Sequence, residues 1–174
     1  MATTVMTKYP TPKGETAKGT VGWHQDVTYW NINPQEAFST WIAIDTVTEE
    51  NGAMFMAAGM HRVGALEHVT QGEDDDNVLM NKQAIPEELL GEAEHVCIEL
   101  NPGEMSVHDG WTPHTSRPNR SDRRRLGIVV HWISCDVHVG PSHYDLSKDP
   151  EWRLPVDLSD EFPPQVVKSA RSRS

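Results

Sequence analysis

The pair His24 and Asp26, separated by one residue, could supply two of the ligands of a metal ion. Side chains two positions apart in a strand lie on the same face, so this imidazole and this carboxylate would converge on one point. Two histidines and one carboxylate on one face of an octahedron leave three positions open, as in non-haem iron(II) oxygenases. A surface histidine and aspartate at a strand end would give the same spacing, so the pair alone indicates little.

A third ligand has to come from a neighbouring strand, and the chain has several histidines that could supply it. The candidates besides His114 are His61, His68, His95, His108, His131, His138 and His143. We favour His114 because Arg125 follows it, at the start of a strongly strand-like run. A metal-bound 2-oxo acid needs a cation for its distal carboxylate, and a planar guanidinium binds carboxylate through two hydrogen bonds. The four residues together are more specific than any one of them.

Arg125 would share a strand face with Gly127, Val129 and His131. Gly127 has no side chain, so we expect room for a ligand beside the guanidinium. The run Arg123-Arg124-Arg125 could equally be a solvated basic cluster or part of a surface salt bridge.

The elements expected to position these residues are mostly β-strands. Runs rich in aromatic and β-branched residues predict strands at Thr20–Tyr29, Phe38–Thr46, Ala53–Ala57, His95–Leu100, Glu104–His108 and Leu126–Ser134. Glu49–Gly52 predicts a hairpin turn into the third of these strands, and Asn101–Gly103 a turn between the fourth and the fifth. One or two helical turns are expected at Pro86–Ala93. Short strands with Gly and Pro turns predict a mostly β fold, with the jelly roll as leading architecture.

The size and composition of the chain narrow the class of protein. Its 174 residues predict a single domain over residues 1–174, with a core at about 5–135, an extension at 136–174 and a frayed tail at 168–174. The net charge of −11 argues against nucleic-acid and anionic-membrane partners, since both need a basic face. Cys97 and Cys135 are too few for a disulfide framework and fit as small core residues. Without a signal peptide or an apolar span, a cytoplasmic setting is the default expectation.

The ordered motifs resemble those of the phytanoyl-CoA dioxygenase-like family of Fe(II)/2-oxoglutarate-dependent oxygenases. The resemblance covers roughly residues 5–135 and rests on Trp23–Asp26, Trp41–Asp45, Glu49–Gly52, Gly59–Arg62 and His114–Ser121 leading to Arg125. It implies a double-stranded β-helix, a cupin-like jelly roll with few short helices. The chain reaches its metal motif by residue 24, so we expect the N-terminal helical layer usual in the family to be absent and one sheet to expose an apolar face that could favour a homodimer.

The same resemblance implies roles for individual residues. Iron(II) would bind His24, Asp26 and His114, and Arg125 would hold 2-oxoglutarate with help from Ser116 and Trp41. With dioxygen as the other co-substrate, the implied reaction hydroxylates a small organic molecule and releases succinate and CO2. The carboxylate of Asp26 stands where halogenating relatives carry a small residue, which favours hydroxylation. His61, in an altered Gly-x-His signature, is interpreted as structural.

The primary substrate is poorly specified. Tyr29, Trp30 and His131 are candidate substrate-pocket residues, although ordinary packing explains the two aromatic residues as well. The acidic segment 72–77 could be a lid or a solvated loop. Two other hypotheses stay open: a cupin-like metalloprotein that does not use 2-oxoglutarate, and a truncated, non-catalytic family member.

Overall fold

The computed structural model describes residues 2–30, 32–33, 37–72, 76–79, 82–134 and 138–139. Most of its strands form two four-stranded antiparallel sheets. Sheet I contains, in spatial order, Ala2–Lys8 (β1), Arg125–Ile133 (β11), Ala37–Ala43 (β4) and Met105–Asp109 (β9). Sheet II contains Val21–His24 (β2), His114–Ser116 (β10), Met54–Ala57 (β5) and His95–Ile98 (β8).

Two short ladders and three single helical turns complete the described part of the chain. Ile32–Asn33 (β3) pairs with His138–Val139 (β12), and Val69–Thr70 (β6) pairs with Gln83–Ala84 (β7). The turns are 3-10 helices at Asp26–Tyr29, Met60–Arg62 and Glu87–Leu90. Over the described ranges, no helix has the length and apolar character needed to cross a membrane.

Consecutive strands change sheets at the two strongest turn signals. The turn at Glu49–Gly52 carries the chain from β4 in sheet I to β5 in sheet II, and Asn101–Gly103 carries it from β8 back to β9. The predicted hairpin at Glu49–Gly52 is therefore wrong as a strand pairing, although the turn is present and Gly52 has a φ of +91°. A tight turn reverses the chain but does not choose its partner strand. The mostly β, cupin-type jelly roll predicted from the sequence is confirmed.

Three differences between the predicted and the observed strands affect the site most. The strand predicted at Thr20–Tyr29 ends at His24, because Asp26–Tyr29 form a 3-10 turn. His114 lies on the short strand β10, which is not among the predicted strand ranges. The whole of β1 was missed, although its Thr-rich sequence suits a strand and pairs along β11 from Ala2 to Lys8.

Apolar packing is concentrated between the sheets and on the outside of sheet II. Between the sheets lie Trp41, Met54 and Val129, each less than a tenth exposed. On the outer face of sheet II, Trp23 and Phe55 pack against a covering layer that includes Ile85 and Leu90. The outer face of sheet I has no such cover in the described ranges, and Val5, Met105 and Val107 are 64%, 58% and 59% exposed. The predicted exposed apolar face thus belongs to sheet I; the predicted homodimer stays a prediction.

Candidate metal centre

The structure brings together the three residues predicted to bind iron. His24 and His114 are directly paired on the neighbouring strands β2 and β10, with ring centroids 4.1 Å apart. Asp26 follows on the first residue of the 3-10 turn, and its Oδ1 lies 3.7 Å from the Nε2 atom of each imidazole. One ligand atom from each residue lies within 4.8 Å of the other two. The convergence was predicted correctly, but Asp26 reaches the site from a turn and not from a strand.

Backbone carbonyls fix the tautomer of both imidazoles. Nδ1 of His24 lies 2.9 Å from the carbonyl oxygen of Gly22, and Nδ1 of His114 lies 3.0 Å from that of Thr112. A carbonyl oxygen only accepts hydrogen bonds, so each Nδ1 carries the hydrogen. Each Nε2 is left with its lone pair directed at Asp26, the form in which histidine binds a metal.

The charges of the site also suit a cation. Burial lowers the pKa of His24, and burial together with the neighbouring His24 lowers the pKa of His114 to about 3. Burial alone would raise the pKa of Asp26, but His114, His108 and His24 outweigh it and hold that pKa below its usual range. At neutral pH the site is therefore two neutral imidazoles and one carboxylate, the protonation state that metal binding requires.

Gln25, between the two ligands, connects the centre to two loops. Its fully buried side chain donates from Nε2 to the carbonyl oxygens of Gly64 at 2.8 Å and Trp111 at 2.7 Å. Its Oε1 accepts from the backbone N–H of Leu66 at 2.9 Å, and its own backbone N–H donates to Nε2 of His68 at 3.1 Å. The side chain of Gln25 therefore binds these loops and not the metal site, and the sequence analysis did not predict these contacts.

Sheet I presents a row of three polar side chains to Asp26. His131, Ser39 and His108 are direct neighbours on β11, β4 and β9. Ser39 donates to Oδ2 of Asp26 at 2.7 Å, and Nε2 of His108 lies 3.6 Å from the same oxygen. Within the described part of the chain, neither ring nitrogen of the buried His108 has a hydrogen-bond partner. Sequence reasoning gave Ser39 no role, although a serine among the apolar residues of a buried strand is a usable signal.

Arg125 is a buried cation without an anionic partner in the described ranges. Arg125 is only 3% exposed, and its guanidinium carbon lies 4.7 Å from the centre of the Trp41 ring. Its Nε lacks a hydrogen-bond partner among the described residues. Burial lowers the pKa of Arg125 to about 10, which leaves the guanidinium charged at neutral pH. The neighbouring Arg124 instead forms an exposed ion pair with Asp45 at 2.9 Å.

The space at Gly127 has a different occupant from the one predicted. A Cβ atom added at Gly127 would lie 2.2 Å from Cζ2 of Trp41. The expectation that Gly127 leaves room for a ligand is wrong, because the indole of Trp41 fills that room. Gly127 instead allows Trp41 to lie beneath the guanidinium of Arg125.

Lys8 adds a second cation at this end of the site. It is paired with Arg125 between β1 and β11, and its Nζ donates to the carbonyl oxygens of Gly19 at 3.0 Å and Ser116 at 3.2 Å. Burial and the nearby Arg125 lower the pKa of Lys8 to about 7. The buried Ser116, which was predicted to assist Arg125, lies at the same junction between the sheets.

The candidate substrate residues lie around the triad. The ring of Tyr29 meets the ring of His24 edge-on at 6.1 Å, and the ring of Trp30 meets that of His131 at 5.2 Å. His131 also contacts Ser39 through Nδ1, at 2.8 Å. Their role in substrate binding stays a prediction.

Three further sequence predictions fall on or near residues outside the described ranges. Of the acidic segment 72–77, residues 73–75 are outside them, while Asn77 is buried and accepts from the backbone N–H of Gly22. Asn77 is therefore not the exposed residue that was expected. Cys97 packs beside both apolar clusters, whereas Cys135 and the extension beyond residue 139 lie outside the described residues.

The comparison with known families gives the assignment. The family model for phytanoyl-CoA dioxygenase matches residues 1–127. The chain belongs to this family. It is 25% identical over 124 residues to the phytanoyl-CoA dioxygenase domain-containing protein 1 homolog of Dictyostelium discoideum. The matched residues cover 71% of this chain and 44% of that relative.

Solved structures in the same fold agree with this membership. The non-heme monooxygenase ThoJ is 26% identical to this chain, and the two superpose with a TM-score of 0.60. The match covers 80% of this chain and 47% of the ThoJ chain. EvdO2 from Micromonospora carbonacea var. aurantiaca, solved in complex with 2-oxoglutarate, is 27% identical to this chain, with a TM-score of 0.58. The match covers 75% of this chain and 49% of the EvdO2 chain. The chain thus spans less than half the length of each of these three proteins.

Proposed function

We propose that this chain is the catalytic core of an Fe(II)/2-oxoglutarate-dependent oxygenase. His24, Asp26 and His114 hold the iron, and Arg125 holds the distal carboxylate of 2-oxoglutarate. A small organic molecule is the primary substrate and is hydroxylated, while 2-oxoglutarate is converted to succinate and CO2.

The observation that carries this proposal is the buried Arg125, which has no anionic partner among the residues that the structure describes. Burying a guanidinium without a carboxylate partner raises the free energy of the folded state, because the lost hydration is not replaced. A bound anionic ligand would offset this cost. Lys8, which is only partly protonated at neutral pH, lies at the same junction and donates to the carbonyl oxygen of Ser116. An inorganic anion bound to Arg125 would not account for the nearby set of two neutral imidazoles and one carboxylate. An anion that also chelates a metal, as a 2-oxo acid does, accounts for both features.

The residues present fit the metal. Two Nε2 lone pairs and one carboxylate oxygen face one another, while Nε2 of His108 and Oγ of Ser39 both lie near the other carboxylate oxygen, Oδ2. Bound Fe(II) supplies the site at which dioxygen is activated while 2-oxoglutarate is oxidised. The chain binds and orients: His24 and His114 present lone pairs, Arg125 aligns the co-substrate, and buried Trp41 keeps water from the guanidinium's lower face.

Hydroxylation is favoured over halogenation because the third ligand is a carboxylate. Oδ1 of Asp26 lies 3.7 Å from both imidazoles, so the position a halide would need is filled. We assign substrate binding to Tyr29, whose ring contacts that of His24, and to the neighbouring pair Trp30 and His131.

The test reconstitutes the protein with Fe(II) under anaerobic conditions and measures its affinity for 2-oxoglutarate by isothermal titration calorimetry. Arg125→Met should weaken binding at least about thirtyfold, since loss of a buried charge-assisted pair costs about 2–5 kcal/mol. Arg124→Met is the matched control, because it removes the adjacent but exposed arginine. Its affinity should stay within about twofold of the unsubstituted chain.

The alternatives predict different results in the same titration. A cupin-like metalloprotein would bind Fe(II) but not 2-oxoglutarate. A non-catalytic family member would bind neither. Equal losses in Arg125→Met and Arg124→Met would point to general charge attraction and would refute the assignment of Arg125.

A further inference from the structure

We propose that Ser39 is a positioning residue of the metal centre, backed by His131, and that it holds Asp26 as a ligand through one oxygen only. The inference rests on the proposed metal site. It concerns residues of sheet I that neither the sequence motifs nor the triad geometry assign to metal binding.

The direction of the hydrogen bonds follows from the donors available. Oγ of Ser39 lies 2.7 Å from Oδ2 of Asp26 and 2.8 Å from Nδ1 of His131. A hydroxyl has one hydrogen, and an ionised carboxylate can only accept. Ser39 therefore donates to Asp26, and its second contact is donated by the Nδ1–H of His131. The result is a chain of two hydrogen bonds that runs from His131 through Ser39 to Oδ2.

Asp26 needs such support because its own backbone does not direct it. It begins a 3-10 turn after the extended residue Gln25, so strand alternation does not set the direction of its carboxylate. Sheet I supplies a prepared surface instead: Ser39 is 0% exposed, and His131 and His108 flank it on adjacent strands. Trp30 packs edge-on against the ring of His131 and limits its rotation.

The contact divides the work between the two carboxylate oxygens. Oδ1 faces His24 and His114, whereas Oδ2 accepts from Ser39. Without the hydroxyl, Oδ2 would be free to turn toward the ion and take a second coordination position. The chemistry requires three positions open to co-substrates, so a carboxylate bound through one oxygen keeps the site usable. Hydrogen bonds to ligands commonly change metal affinity by about 10–100-fold.

The experiment measures metal binding, not turnover. Co(II) is titrated into the apo chain in competition with a chromophoric chelator, and the visible Co(II) spectrum reports the coordination. Ser39→Ala should bind Co(II) about 10–100-fold more weakly and change the spectrum. Ser106→Ala is the matched control: it removes a buried hydroxyl from the same face of sheet I that has no partner in the described ranges. It should leave affinity and spectrum unchanged.

A double-mutant cycle tests the part played by His131. His131→Leu should shift the spectrum in the same direction with a smaller loss of affinity. In the Ser39→Ala background it should add nothing, because the chain of hydrogen bonds is already broken. Independent, additive losses would overturn the role of His131. Unchanged Co(II) affinity and spectrum in Ser39→Ala would overturn the proposal as a whole.

Two further outcomes are separable. If the unsubstituted chain binds no Co(II), the proposed function fails, and the role of Ser39 fails with it. If it binds Co(II) and Ser39→Ala does not fold by circular dichroism, His131→Leu decides, since it keeps the hydroxyl in place. An unaltered Co(II) spectrum in that variant would then count against the inference, while the triad itself would stand.

Discussion

Sheet I and sheet II face the same interior but bring different chemistry to it. Sheet II provides the imidazoles of His24 and His114, which are neutral at pH 7 because they are buried. Sheet I provides the cation Arg125 and the row centred on Ser39. Asp26 contacts both, with Oδ1 toward the imidazoles and Oδ2 toward Ser39. The site is thus a property of the packing between the sheets, and neither sheet contains it alone.

The outer faces of the two sheets differ as strongly. Leu90, 1% exposed, covers sheet II together with Ile85, whereas Val107 on sheet I is 59% exposed. Burial of apolar surface stabilises a domain in proportion to the area removed from water. Side chains outside sheet II should therefore contribute to stability, and those outside sheet I should contribute little in this chain.

The strongest test of that difference is Leu90→Ala. Removing this buried side chain should lower the free energy of unfolding by about 2–5 kcal/mol, measured by equilibrium urea denaturation. Leu89→Ala on the same turn, where the side chain is 39% exposed, and Val107→Ala on sheet I should each cost about 0.5 kcal/mol or less. A loss for Val107→Ala as large as that for Leu90→Ala would show that the outer face of sheet I is covered in solution, and would support the predicted homodimer.

The inner face of sheet I can be tested by Gly127→Ala. The new Cβ would overlap the ring of Trp41, so the indole must move away from Arg125. We expect a loss of about 1–3 kcal/mol in the free energy of unfolding, together with weaker 2-oxoglutarate binding.

Gly72→Ala is the control for that substitution, because a Cβ there meets no atom within 4 Å. Tryptophan fluorescence would report the displaced indole in Gly127→Ala and no change in Gly72→Ala. Equal stability of the two variants would mean that Trp41 is not tightly held beneath the guanidinium.

Local signals in the sequence were enough for the fold class and for the triad. Short strands, turn residues and the spacing of His24 and Asp26 are patterns of neighbouring residues, and the structure contains them. Arg125 and the family motif together selected His114 among the eight histidines other than His24, a choice that the His24–Asp26 spacing alone could not make. What it could not show was that Asp26 approaches from a turn, since one extended residue, Gln25, separates that turn from β2.

Contacts between residues distant in sequence could not be predicted. The turn at Glu49–Gly52 gave no indication that β4 and β5 lie in different sheets. Ser39 is 92 residues from its partner His131, so their hydrogen bond has no signature in the sequence. Gly127 was interpreted as space for a ligand because Trp41 lies on the neighbouring strand β4 but far away in sequence, so its position against Gly127 could not be foreseen.

Lys8 gives the smallest and most specific test, at the point where the sheets meet. Its ammonium joins β1 of sheet I to Ser116 of sheet II, and its pKa falls from 10.5 to about 7 through burial and the nearby Arg125. Below pH 7 Lys8 is protonated in both the folded and the unfolded chain, so the folded state carries the full free-energy cost of the buried charge beside Arg125. Between about pH 7 and 10.5 the unfolded chain binds more protons, so stability should rise with pH.

Lys8→Met should remove this rise, which is at most about 1.4 kcal/mol per pH unit. Urea denaturation at pH 7 and pH 9 measures it, as the difference between the unsubstituted chain and the variant. Lys13→Met, at an exposed lysine, should keep the pH dependence of the unsubstituted chain. If Lys8→Met and the unsubstituted chain have the same pH dependence, the ammonium is solvated, and the junction of the sheets at Ser116 is more open to water than the burial of Lys8 indicates.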